Sequence, residues 1–246
     1  EWLGDTTYKK GFLNTQVPAM TFALHERKYE LDSLCAFLKL SYKYYTESGN
    51  DLTPFDNEWL NAVHAVLEVI RMQQEPQGPL NPTGGSGYFF QRSAKAPTDT
   101  LMHGVGPPAK RTGLSISPFR PSDDASALPF PTAANAMAVV SLRQLVTILT
   151  ALKDNKVTPL LNTADQLATE IDDAIQEHCI LNHPTTGAIY AYEVDGFGNA
   201  YFMDDANIPS VLSLPYLGYC AADDPIYLQT RRFLLSESNP YFFSGT

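Results

Sequence analysis

Hydrophobic residues recur at three- and four-residue steps along several stretches of the chain, which is the spacing of a helix with one apolar face. The stretches are separated by Gly, Pro, Ser and Asn residues that end helices. The third stretch is apolar over much of its surface, which indicates a helix buried on most sides. The predicted helices cover residues 30–46, 56–74, 133–152, 159–180, 209–219 and 225–236.

The period changes to two over residues 188–194 (AIYAYEV) and again over 201–203 (YFM). The two segments flank a glycine-containing turn, DGFGN, so the pattern predicts one β-hairpin inserted among the helices. Long helices in consecutive pairs favour a mostly α protein in which helix hairpins stack on each other. Their connecting loops then gather on one face, where functional residues are usually found.

Residues 75–129 form the longest stretch without periodicity. A structureless loop of this length is uncommon in a compact chain unless it is functional or disordered. Large side chains such as Tyr88, Phe89 and Phe90 favour an ordered loop. The loop closes with RTGLSISPFRPSDDA, residues 111–125, which places Arg120 and Ser122 beside the adjacent carboxylates of Asp123 and Asp124.

Two interpretations of these acidic residues stay open. Asp and Ser accept hydrogen bonds from the first N–H groups of helices, so Ser122 or Asp123 could simply cap a helical turn. A second Asp-Asp-Ala at 204–206 precedes a predicted helix and allows the same role. Acidic residues at 30 and 32 could likewise serve the dipole of the first helix. The alternative is that these carboxylates belong to an active-site rim.

The amino-acid composition excludes some classes of binding partner. The 17 Lys and Arg residues against 27 Asp and Glu give a net charge of −10, and no basic run occurs. Nucleic acid and anionic membrane surfaces are therefore excluded as expected partners. No stretch of about 18 apolar residues predicts a membrane span. The three Cys residues lack CxxC spacing, and no cluster of His and Asp residues has the spacing of metal ligands, so no metal and no cofactor is expected. The 13 Tyr and 13 Phe residues suit an uncharged polar ligand.

Several long segments resemble glycoside hydrolase family 125, in its fungal branch. They are RTGLSISPFRPSDDA with the following PTAANAMAVVSL, KYELDSL at 28–34, TDTLMHGVGPP at 98–108, and MDDANIPSVLSLPYLGY at 203–219. The resemblance implies an (α/α)6 barrel that removes terminal α-1,6-linked mannose with inversion at the anomeric carbon. The implied partner is a mannose-containing oligosaccharide or N-glycan, and the implied location is the secretory pathway or the cell exterior.

Inverting hydrolysis uses one carboxylic acid and one carboxylate base, about 6.5–9.5 Å apart. The resemblance assigns the acid to Asp123 or Asp124. Because like charge raises the pKa of one member of such a pair, we favour Asp123 as the acid and Asp124 as a sugar ligand. Arg120 would bind substrate or hold the ionised member of the pair. Tyr88 and Phe119 could stack on a sugar ring. The other candidate substrate ligands are Ser122, Asp204, Asp205, Asn207, Glu30, Asp32, Arg92 and His103.

The base of the family is a Glu in a His-Glu-Ser-Phe segment, and no such segment occurs here. The family's Trp-Leu-Arg-Asp-Ser stretch is also missing. We therefore expect residues 1–246 to be part of a single (α/α)6 catalytic domain that lacks its N- and C-terminal portions and is inactive alone. Two alternatives remain. One is another (α/α)6 enzyme, a glucosidase or a phosphorylase, and the other is a protein that binds carbohydrate without catalysis.

Overall fold

The computed structural model describes residues 16–19, 27–75, 85–93, 96–205 and 207–245. Each predicted helix is present. The fifth predicted helix, over 209–219, differs most, because only its middle is α-helical and a 3-10 turn at Val211–Ser213 precedes that part. The helices are α1 (Leu31–Glu47), α2 (Asn57–Met72), α3 (Thr132–Leu152), α4 (Thr158–His178), α5 (Leu214–Leu217) and α6 (Pro225–Leu234).

Helix α3 forms the centre of the core and packs against α1 and α4. Alanines at 133, 134, 136 and 138 are all buried, so neighbouring backbones can approach its first turns closely. Among the described residues, α3 is long and apolar enough to cross a membrane, but 56 % of its most apolar window is buried inside the protein. Core helices of water-soluble folds share this length and composition.

Short antiparallel strands connect the helices. Strands β1 (Gln16–Val17) and β2 (Gln91–Arg92) pair with each other, as do β4 (Ile180–His183) and β5 (Gly187–Tyr190). A three-stranded sheet has the order β3-β6-β7. Its strands are β3 (Phe130–Pro131), β6 (Glu193–Val194) and β7 (Ala200–Tyr201).

The predicted hairpin over 188–194 and 201–203 is confirmed next to the DGFGN turn, where β6 pairs with β7, but it is wrong for residues 188–190, which pair with β4. The backbone changes partner in the middle of AIYAYEV: the Ala191 N–H donates to the Cys179 carbonyl, and the Tyr192 N–H donates to the Tyr201 carbonyl, each at 2.8 Å. The first half therefore belongs to β5 and the second to β6. The fourth predicted helix ends early for the same reason, since Ile180 already lies in β4. The β3–β6 pairing brings Glu193 to the end of the long loop.

The long loop is irregular, as predicted, and its described parts are ordered. Phe90, Leu101 and Phe119 form a small buried cluster of their own, in which the two phenyl rings meet edge to face at 5.3 Å. Phe119 is completely buried. The prediction that Phe119 stacks on a sugar ring is therefore wrong, because its ring is already covered by protein.

Candidate active site

Residues 120–124 form a tight reversal that we call the carboxylate turn. Phe119 and Ala125 pair across its base. The Arg120 N–H donates to the Asp124 carbonyl at 2.8 Å, and the Asp123 N–H donates to the Arg120 carbonyl at 2.9 Å. Asp123 has a φ of 67°, in the left-handed region that Asp tolerates better than most residues. No helix begins here, so the interpretation of Ser122 or Asp123 as a helix cap is wrong.

The carboxylate turn presents its acidic side chains towards solvent. The Asp123 side chain is 75 % exposed and lies 3.6 Å from the Lys28 ammonium group, measured from Oδ1 to Nζ. Asp124 is half-buried. Two adjacent carboxyl groups are thus accessible on a turn whose backbone is fixed, which suits groups that must meet a substrate in a defined geometry.

Arg120 has a different partner from the one expected. Its guanidinium group donates to Glu193 through Nε at 2.6 Å and Nη2 at 3.1 Å. Burial disfavours the charge of Arg120, but the hydrogen bonds and charge of Glu193 outweigh it and raise the arginine pKa. The expectation that Arg120 holds Asp123 or Asp124 is wrong, since a two-point ion pair with Glu193 occupies it. Its charge still acts on Asp205, whose carboxylate lies within electrostatic range.

Glu193 was missed by the sequence interpretation. It is completely buried. Besides Arg120, it accepts hydrogen bonds from the Ala127 N–H at 3.0 Å and the Leu128 N–H at 2.9 Å. Glu193 therefore links Arg120, the first residue of the carboxylate turn, to the backbone of residues 127 and 128, which follow the turn. The available signal was one carboxylate inside an apolar strand segment, AIYAYEV, which requires a partner when buried.

Glu30 lies at the start of α1 and does not cap it. Its carboxylate accepts a hydrogen bond from the Ser33 hydroxyl at 3.1 Å. Burial first, and then the charges of Asp32 and Asp123, raise the pKa of Glu30 to about 7, although Ser33 and Lys28 act in the opposite direction. The structure thus brings Glu30, 93 residues away along the chain (123 − 30), within electrostatic range of the carboxylate turn.

Asp32 points inward from the first turn of α1. Burial raises its pKa to about 6. Its Oδ1 atom is buried and has no hydrogen-bond partner among the described residues. A stable carboxylate would normally have its lone pairs satisfied. A role limited to the helix dipole does not require this burial, since the dipole also stabilises exposed carboxylates in a first turn.

The raised pKa of Glu30 predicts a pH-dependent stability. A carboxyl group whose pKa is higher in the folded state contributes stability that is fully present below its usual value of 4.5 and is lost as pH rises through about 7. Replacement of Glu30 by Gln removes this titration. We expect Glu30→Gln to gain stability relative to wild type between pH 5 and pH 8, measured by denaturant unfolding of the full-length protein. Glu47→Gln, at an exposed carboxylate, is the control. A constant difference across this range would contradict the prediction.

Asp204 and Asp205, the second Asp-Asp pair, make different contacts. Asp204 accepts hydrogen bonds from the N–H groups of Val211 and Leu212, both at 2.8 Å, which is the capping function left open by the sequence. Burial nevertheless raises its pKa to about 6. Asp205 accepts from the backbone and side chain of Asn207 at 3.0 and 2.9 Å.

Asp205 links this pair to the carboxylate turn. Burial opposes its ionisation, but the hydrogen bonds from Asn207, the proximity of the Ser122 hydroxyl and the charge of Arg120 lower its pKa. The Ser122 hydroxyl is buried and makes no hydrogen bond of ordinary geometry among the described residues. The structure therefore brings Arg120, Ser122 and Asn207 close to Asp205.

Arg92 and His103 are placed less favourably. Arg92 donates to the carboxylate and the carbonyl oxygen of Asp99, at 3.0 and 2.9 Å, and lies over the Phe90 ring. His103 is exposed, with a left-handed φ of 52°. Among the residues placed in the structure, no hydrogen bond joins His103 to the other candidates. Tyr88 braces the segment before α1, because its hydroxyl donates to the Arg27 carbonyl and accepts from the Tyr29 N–H.

Within the described parts of the chain, no group of three or more His, Cys, Asp or Glu side chains is arranged to hold a metal ion. The assembled groups are carboxylates, an arginine, hydroxyls and an amide. Such a set can exchange protons and hydrogen-bond the hydroxyl groups of a sugar.

Comparison with known proteins agrees with this arrangement. Residues 6–246 match the family described as metal-independent alpha-mannosidase, GH125. The chain is 44 % identical over 237 residues to the "Meiotically up-regulated gene 157 protein" of Schizosaccharomyces pombe, an alignment that covers 93 % of this chain and 44 % of that protein.

A solved structure gives the corresponding fold. It is a metal-independent alpha mannosidase of Streptococcus pneumoniae in a non-productive substrate complex with alpha-1,6-mannobiose. The TM-score is 0.87 at 37 % identity, and the match covers 96 % of this chain and 54 % of that one. The chain thus spans about half the length of these relatives.

The mostly helical fold and its match to this solved structure place the chain in the α/α-barrel class, which confirms the predicted fold class. The chain belongs to the GH125 family of metal-independent alpha-mannosidases.

Proposed function

We propose that the full-length protein removes terminal α-1,6-linked mannose from a mannose-containing oligosaccharide by inverting hydrolysis. The carboxylate turn is the observation that carries this proposal. It supplies adjacent, accessible carboxyl groups on a rigid backbone, in a chain whose family is that of metal-independent alpha-mannosidases. The complex of the Streptococcus pneumoniae relative with alpha-1,6-mannobiose supports the linkage.

Asp123 is proposed as the general acid. It is the more exposed of the two carboxyl groups, so it can reach the glycosidic oxygen of a bound substrate. Asp124 follows directly and is proposed to accept a hydrogen bond from a sugar hydroxyl. The acid gives its proton to the leaving oxygen as the bond to the anomeric carbon breaks, and a base on the opposite face of the ring takes a proton from the attacking water.

The remaining groups are proposed to bind the sugar. Asp205, Asn207 and Ser122 lie beside the carboxylate turn and combine donors with acceptors, which matches sugar hydroxyls that can act as both. Glu30 lies within electrostatic range of Asp123 and of Asp32. The base is expected in a part of the full-length protein beyond these residues.

The proposal is tested by following the full-length protein on α-1,6-mannobiose by proton NMR, in buffer with and without phosphate. Inversion predicts β-mannopyranose as the first sugar formed, at a rate that does not depend on phosphate. If α-mannopyranose forms first, the mechanism is not inverting. Turnover only with phosphate would indicate a phosphorylase, and binding without turnover would indicate a carbohydrate-binding protein.

A further inference from the structure

Lys28 is an unusual lysine for its position. It lies in the segment before α1, and its side chain is only 6 % exposed. Lysine is rarely buried to this extent without a partner for its charge, because removing an ammonium group from water is costly. The contacts of its ammonium group therefore indicate a reason for the burial of this side chain.

The ammonium group of Lys28 contacts the carboxylate turn at two points. Nζ donates a hydrogen bond of 2.8 Å to the backbone carbonyl of Asp123 and lies 3.6 Å from Oδ1 of the same residue. It also lies 5.1 Å from the centre of the Phe119 ring, at the base of the turn. Lys28, 95 positions away along the chain from Asp123, thus contacts both the residue proposed as the acid and Phe119 at the base of the turn.

The hydrogen bond falls where the turn needs support. The left-handed conformation of Asp123 is less favourable for a residue with a Cβ atom than for glycine. The hydrogen bonds that close the turn use the Asp123 N–H and the Asp124 carbonyl, not the Asp123 carbonyl. A donor from outside the turn therefore stabilises the peptide unit that joins the two carboxyl-bearing residues.

We propose that Lys28 is a positioning residue of the active site: it holds the Asp123–Asp124 peptide so that both carboxyl groups keep their direction towards the substrate. This inference rests on the proposed function for its catalytic consequence, but the contact with the turn does not depend on it. A misplacement of about 1 Å in a reacting group can lower a rate about 100-fold. Loss of the Lys28 ammonium group is therefore expected to lower kcat more than it weakens substrate binding.

The test uses Lys28→Met in the full-length protein, with Lys43→Met as the matched control. Methionine keeps the length of the side chain and removes the donor. The Lys43 side chain is exposed, and its ammonium group pairs with Glu47 on the same helix. We expect Lys28→Met to lower kcat on α-1,6-mannobiose about 10- to 100-fold with KM within about threefold. Lys28→Arg, which keeps a donor and the charge, is expected between Lys28→Met and wild type. Lys43→Met is expected to match wild type.

Amide hydrogen exchange of the Asp123 N–H separates this inference from the proposed function. Loss of one hydrogen bond predicts exchange about three- to tenfold faster in Lys28→Met than in Lys43→Met, whether or not the protein cleaves mannobiose. Unchanged exchange, or faster exchange with unchanged kcat, overturns the positioning role. If wild type itself does not cleave mannobiose, the proposed function fails, and the exchange rates still decide whether Lys28 holds the turn.

Discussion

Replacement of Asp123 by Asn in the full-length protein is expected to lower kcat on α-1,6-mannobiose by about 10²- to 10⁴-fold, which is the usual contribution of a general acid. The amide keeps the size and shape of the carboxyl group and cannot supply the proton. The Asp123 side chain is 75 % exposed, no helix begins at it, and Lys28 keeps its hydrogen bond to the Asp123 carbonyl in the variant, so we expect the unfolding midpoint to change little. Steady-state kinetics and thermal unfolding measured on the same preparation check both parts.

Asp124→Asn provides the matched comparison one residue along the same turn. Because Asp124 is a proposed sugar ligand, we expect Asp124→Asn to raise KM more than Asp123→Asn does and to lower kcat less. The reverse pattern would exchange the two roles. Unchanged turnover in both variants, together with lost stability, would favour a structural role for the pair and would contradict the assignment of the acid to this turn.

Glu193→Gln is expected to cost about 3–5 kcal/mol of unfolding free energy, because it leaves the buried charge of Arg120 without its partner. Glu193 is completely buried and accepts from both the guanidinium group and two backbone N–H groups. Glu177→Gln, at a side chain that is 77 % exposed, is expected to stay within about 0.5 kcal/mol of wild type. Denaturant unfolding of the full-length protein measures both.

A double variant separates the lost ion pair from lost packing. Arg120→Met combined with Glu193→Gln removes the unpaired charge, so we expect it to be more stable than Glu193→Gln alone. If Glu193→Gln costs less than about 1 kcal/mol, or if the double variant is the less stable of the two, the ion pair does not hold the turn as described.

The helices could be predicted because their signal is local. Apolar residues at three- and four-residue steps located α1 to α4 within two residues at their starts. The partner of Arg120 could not be found in this way. Glu193 lies 73 residues away and reaches Arg120 only because β6 pairs with β3 at the end of the long loop. The change of partner at Ala191 and Tyr192 is equally non-local, since an alternating pattern does not record which strand lies beside it.

The candidate site could be predicted only in part, because sequence motifs record local residues but not the distant residues that support them. The resemblance identified the Asp123–Asp124 pair and the segment of Asp204 and Asp205, and the structure places Ser122 and Asp205 together. It did not identify the supports of the turn. Phe119 was expected to face a ligand but is buried against Phe90, and Lys28 was recognised only as part of a motif. Residues that support a site without facing the ligand leave no local sequence pattern, whereas adjacent carboxylates do.

The measurement that tests the central claim most directly compares two substrates of the full-length protein and its Asp123→Asn variant. α-1,6-Mannobiose has a sugar leaving group that needs a proton, whereas 2,4-dinitrophenyl α-mannoside has one that departs without it. We predict that Asp123→Asn loses about 10²- to 10⁴-fold in kcat/KM on mannobiose and stays within about tenfold of wild type on the dinitrophenyl substrate. An equal loss on both substrates, or no loss on mannobiose, would contradict the role of the carboxylate turn as the proton donor.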